Sequence, residues 1–328
     1  MQPTHRPLAW GIIGCGKVTE LKSGPAFNKV AGSRLVAVMR RNAALAQSYA
    51  ERHGVPRWYD DADALINDPE VNAVYIATPP DSHHLYALKV AAAGKVCCVE
   101  KPMAPSHREC REMTAAFEAA GLPLFVSYYR RSLPRFAQVK QWLDGGEIGA
   151  VRHVHWSFAR APNAFDTAQT ANWRTDPAVA AGGYFEDLAS HGLDLMLHLL
   201  GDITLAQGIR TNQQGLYAAA DAVTGTWQFA SGATGSGYWN FGAAQALDAV
   251  TIHGSQGEIH FSVFGEQPVV LRNAQGTQSH EIAHAENIQF FHIENMQKHM
   301  DGLVTHPSTS HTAQRTTWVM EQISRPPF

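Results

Sequence analysis

The chain has 328 residues, of which 45% are hydrophobic and 17% are charged, and its formal net charge at pH 7 is −3. This length is enough for two domains and a large core. A small negative charge without runs of like charge gives no electrostatic basis for binding nucleic acid or an anionic membrane. The four cysteines lack zinc-type spacing and two are adjacent, so we expect no structural disulfide and a cytoplasmic protein.

The first predicted strand, Leu8–Ile13, is followed by the turn GCGKVT, and this pattern is typical of a dinucleotide-binding loop. Gly14 permits the tight turn, and Gly16 lets backbone amides approach a pyrophosphate at a helix N-terminus. Thr19 replaces the third glycine of the G-x-G-x-x-G pattern, which we expect to loosen helix packing slightly. The loop residues that we expect to contact the cofactor are Gly14, Gly16, Lys17 and Val18.

The second predicted strand, Arg34–Met39, ends at Arg40-Arg41-Asn42. An NAD-preferring site carries an acidic residue at this position, where it accepts hydrogen bonds from the ribose hydroxyls. A guanidinium pairs with a 2′-phosphate instead and can stack on adenine. We therefore expect Arg40 and Arg41 to contact the cofactor and NADP(H) to be favoured, with NAD(H) as the alternative.

A third strand, Ala73–Ala77, runs into Thr78-Pro79-Pro80-Asp81-Ser82-His83, and a fourth is the apolar run Val96–Val99. An apolar run without polar alternation is typical of a strand buried on both faces of a parallel sheet. It stops at Glu100-Lys101-Pro102, because proline cannot continue a central strand.

With Leu122–Val126 as a fifth strand, the repeated βα pattern predicts a doubly wound parallel sheet, that is, a Rossmann domain over residues 1–126. All parallel strands deliver their carboxyl ends to one edge, where such sheets bind ligands. The residues predicted to line this crevice are Gly14, Arg40, Thr78, Lys101 and Ser127. The residues predicted to contact the cofactor there are Thr78, Pro79, His83, Glu100, Lys101 and Arg130.

Residues 127–328 are predicted to form a second, α+β domain. Regularly spaced strands without crossover helices, from Val151–Phe158 to Pro268–Arg272, indicate a large, mostly antiparallel sheet. An irregular segment, Arg160 to Ala181, contains Trp173 and Arg174, which we expect over the pocket and in contact with the cofactor.

A predicted helix that follows Gly182-Gly183 and runs to about Leu200 carries four polar side chains on one face. They are Asp187, His191, Asp194 and His198, at spacings of 4, 3 and 4 residues. Histidine and aspartate at helical spacing are suitable metal ligands, but no cluster in the sequence completes a coordination shell. We therefore expect no metal, and we expect chemistry at the N-terminal half of this face.

Taken together, the glycine turn, Thr78-Pro79-x-x-x-His83, Glu100-Lys101-Pro102 and Asp187-x-x-x-His191 resemble the Gfo/Idh/MocA family of oxidoreductases. The resemblance implies a Rossmann domain joined to a C-terminal domain whose open sheet face makes homodimer or homotetramer contacts. It implies oxidation or reduction of a sugar or polyol carbon with a nicotinamide cofactor, with Lys101, Asp187 and His191 as the catalytic residues. The segment around Arg40 also resembles an anhydrofructose reductase-like branch.

In this interpretation His191 is the general acid/base, because a neutral imidazole can exchange a proton near neutral pH. Lys101 hydrogen-bonds the reacting oxygen, and Asp187 orients the hydroxyl network. Two alternatives use the same fold: an NAD-dependent, redox-assisted glycosidase and a non-catalytic nucleotide-binding regulator. The regulator would have no reason to keep Lys101, Asp187 and His191 together.

Overall fold

A computed structural model describes residues 7–170, 172–180 and 182–325 of the chain. Ala171 and Ala181, which fall in the predicted loop over the pocket, lie outside the described residues. The backbone divides into two compact units. The first comprises the residues up to Leu133 together with His284–Gln314, and the second comprises Pro134–Ala283 together with the residues from Arg315 onward.

The first unit is built on a six-stranded sheet in the order β3-β2-β1-β4-β5-β6, in which every pair is parallel. Its strands are β1 Leu8–Ile13, β2 Ser33–Met39, β3 Arg57–Tyr59, β4 Ala73–Ile76, β5 Val96–Val99 and β6 Leu124–Val126. Its helices are α1 Gly24–Lys29, α2 Ala43–His53, α3 Ala62–Asn67, α4 His83–Ala92, α5 His107–Ala120 and, after the second unit, α9 Phe290–Met300. The strand order reverses between β1 and β4, which is the switch point where doubly wound sheets bind ligands.

The second unit contains an eight-stranded sheet in the order β14-β13-β12-β11-β7-β10-β9-β8. Its strands are β7 Val151–Ala159, β8 Ile203–Thr211, β9 Ala222–Phe229, β10 Thr234–Asn240, β11 Leu247–Gly254, β12 Gly257–Phe261, β13 Val269–Asn273 and β14 Gly276–His280. All pairs are antiparallel except β7 with β10. Its helices are α6 Pro134–Asp144, α7 Ala164–Thr167 and α8 Tyr184–Leu200, and α10 Ser310–Ser324 begins in the first unit and ends in the second. The predicted fold class is confirmed.

The observed units differ from the predicted division at residue 126 in two respects. The first unit continues to Leu133, and it also includes the segment His284–Gln314, which was predicted to belong to the second domain. The physical reason is burial. Ile293 and Met296 of α9 pack in the same apolar cluster as Trp10 and Phe27, on one face of the parallel sheet.

Three strands were absent from the sequence prediction: β3, β8 and β14. β3 has only three residues, and β14 is exposed along most of its length. In β8, apolar side chains such as Leu205 and Ile209 are exposed, so buried and exposed residues do not alternate regularly along the strand. No helix among the described residues is long and apolar enough to cross a membrane.

Two buried imidazoles lie within the first unit. The rings of His292 and His306 meet edge to face with centroids 4.7 Å apart. The amide of Ser308 donates to Nδ1 of His306 at 3.0 Å, so the neutral ring carries its proton on Nε2, 3.2 Å from the carbonyl of His292. Burial lowers the pKa of His306 to about 4 and places the pKa of His292 well below its usual value.

These histidines should make the protein sensitive to acid. Below pH 6.5, the ordinary imidazole pKa, these histidines become protonated in the unfolded chain. In the native chain His306 becomes protonated only near pH 4. Stability should therefore be full above pH 6.5 and fall as the pH is lowered through this window. We expect His306→Asn to show a flatter dependence of the unfolding midpoint on pH than the wild type. His311→Asn, an exposed control, should keep the wild-type slope, and equal slopes for all three proteins would contradict the assignment.

Candidate active site

The loop after β1 is held against two neighbouring strands. The amides of Gly14 and Cys15 both donate to the carbonyl of Met39, at 2.9 and 3.0 Å, which ties the loop to the end of β2. Gly14 has a φ of 90°, and a Cβ there would lie 2.8 Å from Cγ2 of Thr78. Glycine is therefore required both for the backbone conformation and for the approach to the segment after β4.

The side chain of Thr19 closes this loop. Its side chain is fully buried, and Oγ1 accepts from the amide of Gly16 at 3.0 Å while donating to the Gly16 carbonyl at 2.9 Å. The phenol of Tyr49 donates to the Thr19 carbonyl at 2.8 Å. Because the Gly16 amide bonds within the loop, Lys17 and Val18, at the start of the following helical stretch, supply the amides best placed for a pyrophosphate.

Arg40 and Arg41 are exposed immediately after β2. The Arg40 amide donates to the carbonyl of Tyr59 at 3.1 Å, which anchors its backbone to the end of β3. Burial raises the pKa of Cys15 to about 11, and the charge of Arg40 acts against this shift. The Arg40 side chain is thus exposed at the end of β2, the strand to which the glycine loop is tied.

His83 joins the segments that follow β4 and β5. It is fully buried, with Nε2 2.8 Å from the carbonyl of Thr78 and Nδ1 3.1 Å from the carbonyl of Pro102. Burial lowers its pKa. Both ring nitrogens therefore face backbone, so His83 shapes the crevice by holding Thr78 and Pro79 in place.

The end of β5 is organised by the buried carboxylate of Glu100. Its Oε1 accepts from the phenol of Tyr75 at 2.5 Å and from the amide of Gln289 at 2.9 Å. Its Oε2 accepts from the backbone amide of Lys101 at 3.1 Å. Lys101 has intermediate exposure and is joined to Pro102 by a cis peptide bond.

Arg130 follows the last strand of the same sheet. It is buried in the turn Tyr129–Ser132, with its guanidinium 4.8 Å from the centroid of the Tyr129 ring. The first unit thus brings most of the predicted cofactor residues to one sheet edge, because each follows the carboxyl end of a parallel strand. A glycine cradle with a nearby guanidinium fits a dinucleotide phosphate.

In the second unit, α8 carries Asp187 and His191 one turn apart, both buried. The next residue, Gly192, lies directly on the indole of Trp156 in β7, since a Cβ at Gly192 would fall 2.2 Å from its ring. The ring of Phe264 meets the His191 imidazole edge to face at 5.8 Å. The helix is therefore packed closely against Trp156 at Gly192, and the neighbouring imidazole contacts Phe264.

Asp248 holds Trp156 and Phe264 in place through two hydrogen bonds. Its Oδ1 accepts from Nε1 of Trp156 at 2.9 Å, and its Oδ2 accepts from the amide of Phe264 at 2.6 Å. The sequence prediction did not identify Trp156, Phe264 or Asp248 in this role, because they lie far from His191 along the chain. Four other aromatic residues of the second unit are also buried: Trp227, Phe229, Trp239 and Phe241.

Arg174 contacts α8. Its Nε lies 2.5 Å from Oδ2 of Asp187, and its guanidinium stacks 4.3 Å from the centroid of the Trp173 ring. Trp173 and Arg174 form a short 3-10 turn capped by the side chain of Asn172. The ion pair places this turn beside Asp187 within the second unit, so Asp187 holds the segment in place.

Two further acidic groups lie on α8. Burial raises the pKa of Glu186 to about 7, and its Oε1 accepts from the amide of Gly182 at 2.7 Å. Asp194 accepts from the hydroxyl of Thr316 at 3.0 Å, which accounts for its place on the polar face. The residues that the structure describes contain no group of three or more His, Cys, Asp or Glu suited to a metal ion.

The sheet order, the glycine cradle and the polar helix define a nicotinamide-dinucleotide-binding oxidoreductase. Residues 8–128 match the family model described as an oxidoreductase family with an NAD-binding Rossmann fold, and residues 136–260 match the Gfo/Idh/MocA C-terminal domain. The chain belongs to the Gfo/Idh/MocA family of NAD(P)-binding sugar and polyol oxidoreductases, as its sequence motifs predicted.

Relatives and solved structures agree with this family. The chain is 38% identical to "Oxidoreductase P35" of Formosa agariphila, over 96% of this chain and 97% of the relative. It is 26% identical to the 1,5-anhydro-D-fructose reductase of Ensifer adhaerens, over 81% of this chain and 80% of the relative. A levoglucosan dehydrogenase in complex with NADH and levoglucosan shares the fold with a TM-score of 0.86 and 21% identity, covering 96% of each chain.

The contact between Gly192 and Trp156 gives a testable consequence. Gly192→Ala should destabilise the protein by at least about 2 kcal/mol, because the new methyl group overlaps an indole that Asp248 holds in place. The free energy of unfolding in urea measures this. Adding Trp156→Phe should make the double variant less destabilised than the sum of the single changes. Strict additivity would show that the two residues are not in contact.

Proposed function

We propose that the protein transfers a hydride between NADP(H) and a carbon of a sugar, anhydro-sugar or polyol. The observation that carries the proposal is the place of Lys101, at the carboxyl end of β5 in the sheet whose first strand leads into the glycine loop. A cationic side chain at that edge suits an oxygen that gains negative charge. The bound nicotinamide supplies the hydride chemistry, and the chain's own residues manage the proton.

His191 is the proposed proton carrier. When a hydride leaves a carbinol carbon, its hydroxyl proton must leave too, and a neutral imidazole can take it; in reduction the imidazolium returns it. Burial of the ring against Phe264 limits its orientations. Asp187, already paired with Arg174, is proposed to align the substrate hydroxyls near His191.

Lys101 is proposed to donate a hydrogen bond to the reacting oxygen, which stabilises alkoxide character while the proton moves. Thr78, Pro79 and the buried His83 are proposed to form the floor of the cofactor crevice. Arg130 lies after β6 at the same sheet edge, and a role in contacting the cofactor is proposed for it on that ground.

The preference for NADP(H) rests on Arg40 and Arg41. Both are exposed at the end of β2, and the side chain of the following residue, Asn42, caps α2. No carboxylate therefore follows the strand at the position where an NAD-selective site accepts the ribose hydroxyls. A 2′-phosphate would instead find two guanidinium groups.

The proposed substrate class draws on the names of relatives. One relative is named for the reduction of 1,5-anhydro-D-fructose, and others are named scyllo-inositol 2-dehydrogenase (NAD(+)) and D-apiose dehydrogenase. Each name describes a polyhydroxylated carbon compound. We therefore propose the same chemical class for this chain, with 1,5-anhydro-D-fructose as the first substrate to test.

A screen of sugars, anhydro-sugars and polyols tests the function directly. NADPH absorbance at 340 nm would be followed in both directions, with NADH in parallel. We expect net oxidation or reduction of the cofactor with at least one member of the panel. Cleavage of a glycoside without net cofactor turnover would contradict the proposal and favour a redox-assisted glycosidase.

Removal of the proposed catalytic groups should abolish most turnover. Lys101→Ala and His191→Ala should each lower kcat by at least about 10²-fold, the scale of acid–base contributions. Matched controls are Lys95→Ala, at the opposite end of β5, and His198→Ala, at the far end of α8. Steady-state kinetics with folded variants measures the effect, and full turnover in either catalytic variant would refute its assigned role.

The cofactor assignment predicts a change of preference. Arg40→Asp should shift the ratio of kcat/KM for NADPH over NADH toward NADH by at least about tenfold, because a carboxylate repels the 2′-phosphate. Arg34→Asp, near the N-terminal end of the same strand, should leave the ratio unchanged. A higher kcat/KM of the wild type for NADH than for NADPH would contradict the NADP assignment.

A further inference from the structure

We propose that Gln289 and Tyr75 are positioning residues for Lys101, acting through the carboxylate of Glu100. The inference rests on the role proposed above for Lys101. It concerns a segment that the sequence prediction placed in the other domain, so neither motif nor spacing pointed to it.

The carboxylate has donors on both of its oxygens. Tyr75 and Gln289 converge on Oε1, at 2.5 and 2.9 Å, and the backbone amide of Lys101 donates to Oε2 at 3.1 Å. Tyr75 is fully buried, Gln289 is 1% exposed and Glu100 is 7% exposed. A buried carboxylate held by several donors has little freedom to reorient, so it sets the place where the backbone of Lys101 begins.

The phenol remains a donor across the working pH range. Burial, followed by the charge of Glu100, raises the pKa of Tyr75 well above its usual value. Gln289 likewise cannot lose a donor, since a side-chain amide does not titrate. Neither donor to Glu100 therefore loses its proton in the working pH range.

Gln289 also connects two parts of the cofactor crevice. Its backbone amide donates to the carbonyl of Lys22 at 3.2 Å, in the helical stretch that follows the glycine loop. Its side chain reaches the end of β5. Gln289 therefore connects the helical stretch after the glycine loop to the end of β5, where Lys101 follows. A displacement of one of these elements would displace the other.

A matched control lies two residues away. Asn287 is buried and donates from Nδ2 to the carbonyl of Leu21 at 2.6 Å. It fastens the same segment to the same helical stretch, but its side chain donates to a backbone carbonyl and not to Glu100. Asn287→Ala therefore reports what is lost when the segment is loosened without removing a donor from the carboxylate.

The test compares Tyr75→Phe, Gln289→Leu and Asn287→Ala in the full-length protein. The first readout needs no substrate: the rate at which acetic anhydride labels Lys101 is measured against pH by peptide mass spectrometry. We expect the pH of half-maximal labelling to shift by at least about half a unit in Tyr75→Phe and Gln289→Leu, and to stay at the wild-type value in Asn287→Ala.

The second readout separates turnover from binding. With NADPH and 1,5-anhydro-D-fructose, kcat should fall about tenfold in the two donor variants, while the Kd for NADPH, followed by nicotinamide fluorescence, stays within about twofold. Because both donors act on Oε1, the double variant should lose less than the product of the single losses. Absence of turnover with that sugar in the wild type would count against the proposed function alone, since the labelling readout does not depend on it.

Two results would overturn the proposal that Tyr75 and Gln289 position Lys101. If all three variants lower the melting temperature to a similar extent and leave the labelling profile of Lys101 at its wild-type position, then Tyr75 and Gln289 serve only as structural supports. A shift in Asn287→Ala equal to that in Gln289→Leu would have the same meaning, because it would trace the effect to the segment and not to the carboxylate.

Discussion

The first unit depends on a carboxylate that is buried at the end of a parallel strand. Glu100 would be costly to bury alone, and it is accommodated because the Tyr75 phenol, the Gln289 amide and a backbone amide all donate to it. These donors come from β4, from the segment before α9 and from the start of the loop that carries Lys101. One polar centre therefore fastens three elements at the edge where doubly wound sheets bind their ligands.

In the second unit, aromatic side chains pack against α8 beside His191. α8 lies on Trp156 through Gly192, and Asp248 holds both Trp156 and Phe264 in place beside His191. Apolar contact with the Phe264 ring therefore contributes to the orientation of the imidazole. Asp187 is engaged by Arg174, which makes the helix face a support for the segment that precedes it. Glu100 thus holds the backbone of Lys101 within the first unit, and Phe264 packs on the ring of His191 within the second.

Local patterns predicted the fold class and most of the strands. The glycine turn and the apolar run Val96–Val99 are local signals, since backbone freedom and burial on both faces are visible in a few residues. β3 and β14 escaped prediction because they are short or exposed. Gln289 could not be assigned because its partner Glu100 is 189 residues away, and only the return of the chain to the first sheet brings them together. The hydrogen bonds of the Thr19 hydroxyl with both the amide and the carbonyl of Gly16 were not predicted, because the sequence pattern gives only the missing third glycine.

The most direct test of this account is a crystal structure of the protein with NADPH bound. The account predicts the 2′-phosphate within hydrogen-bonding distance of the Arg40 guanidinium, about 3 Å, the pyrophosphate on the amides of Lys17 and Val18, and the nicotinamide ring beside Lys101. A cofactor whose adenosine ribose lies away from Arg40, or whose nicotinamide ring lies at another edge of the sheet from Lys101, would contradict it.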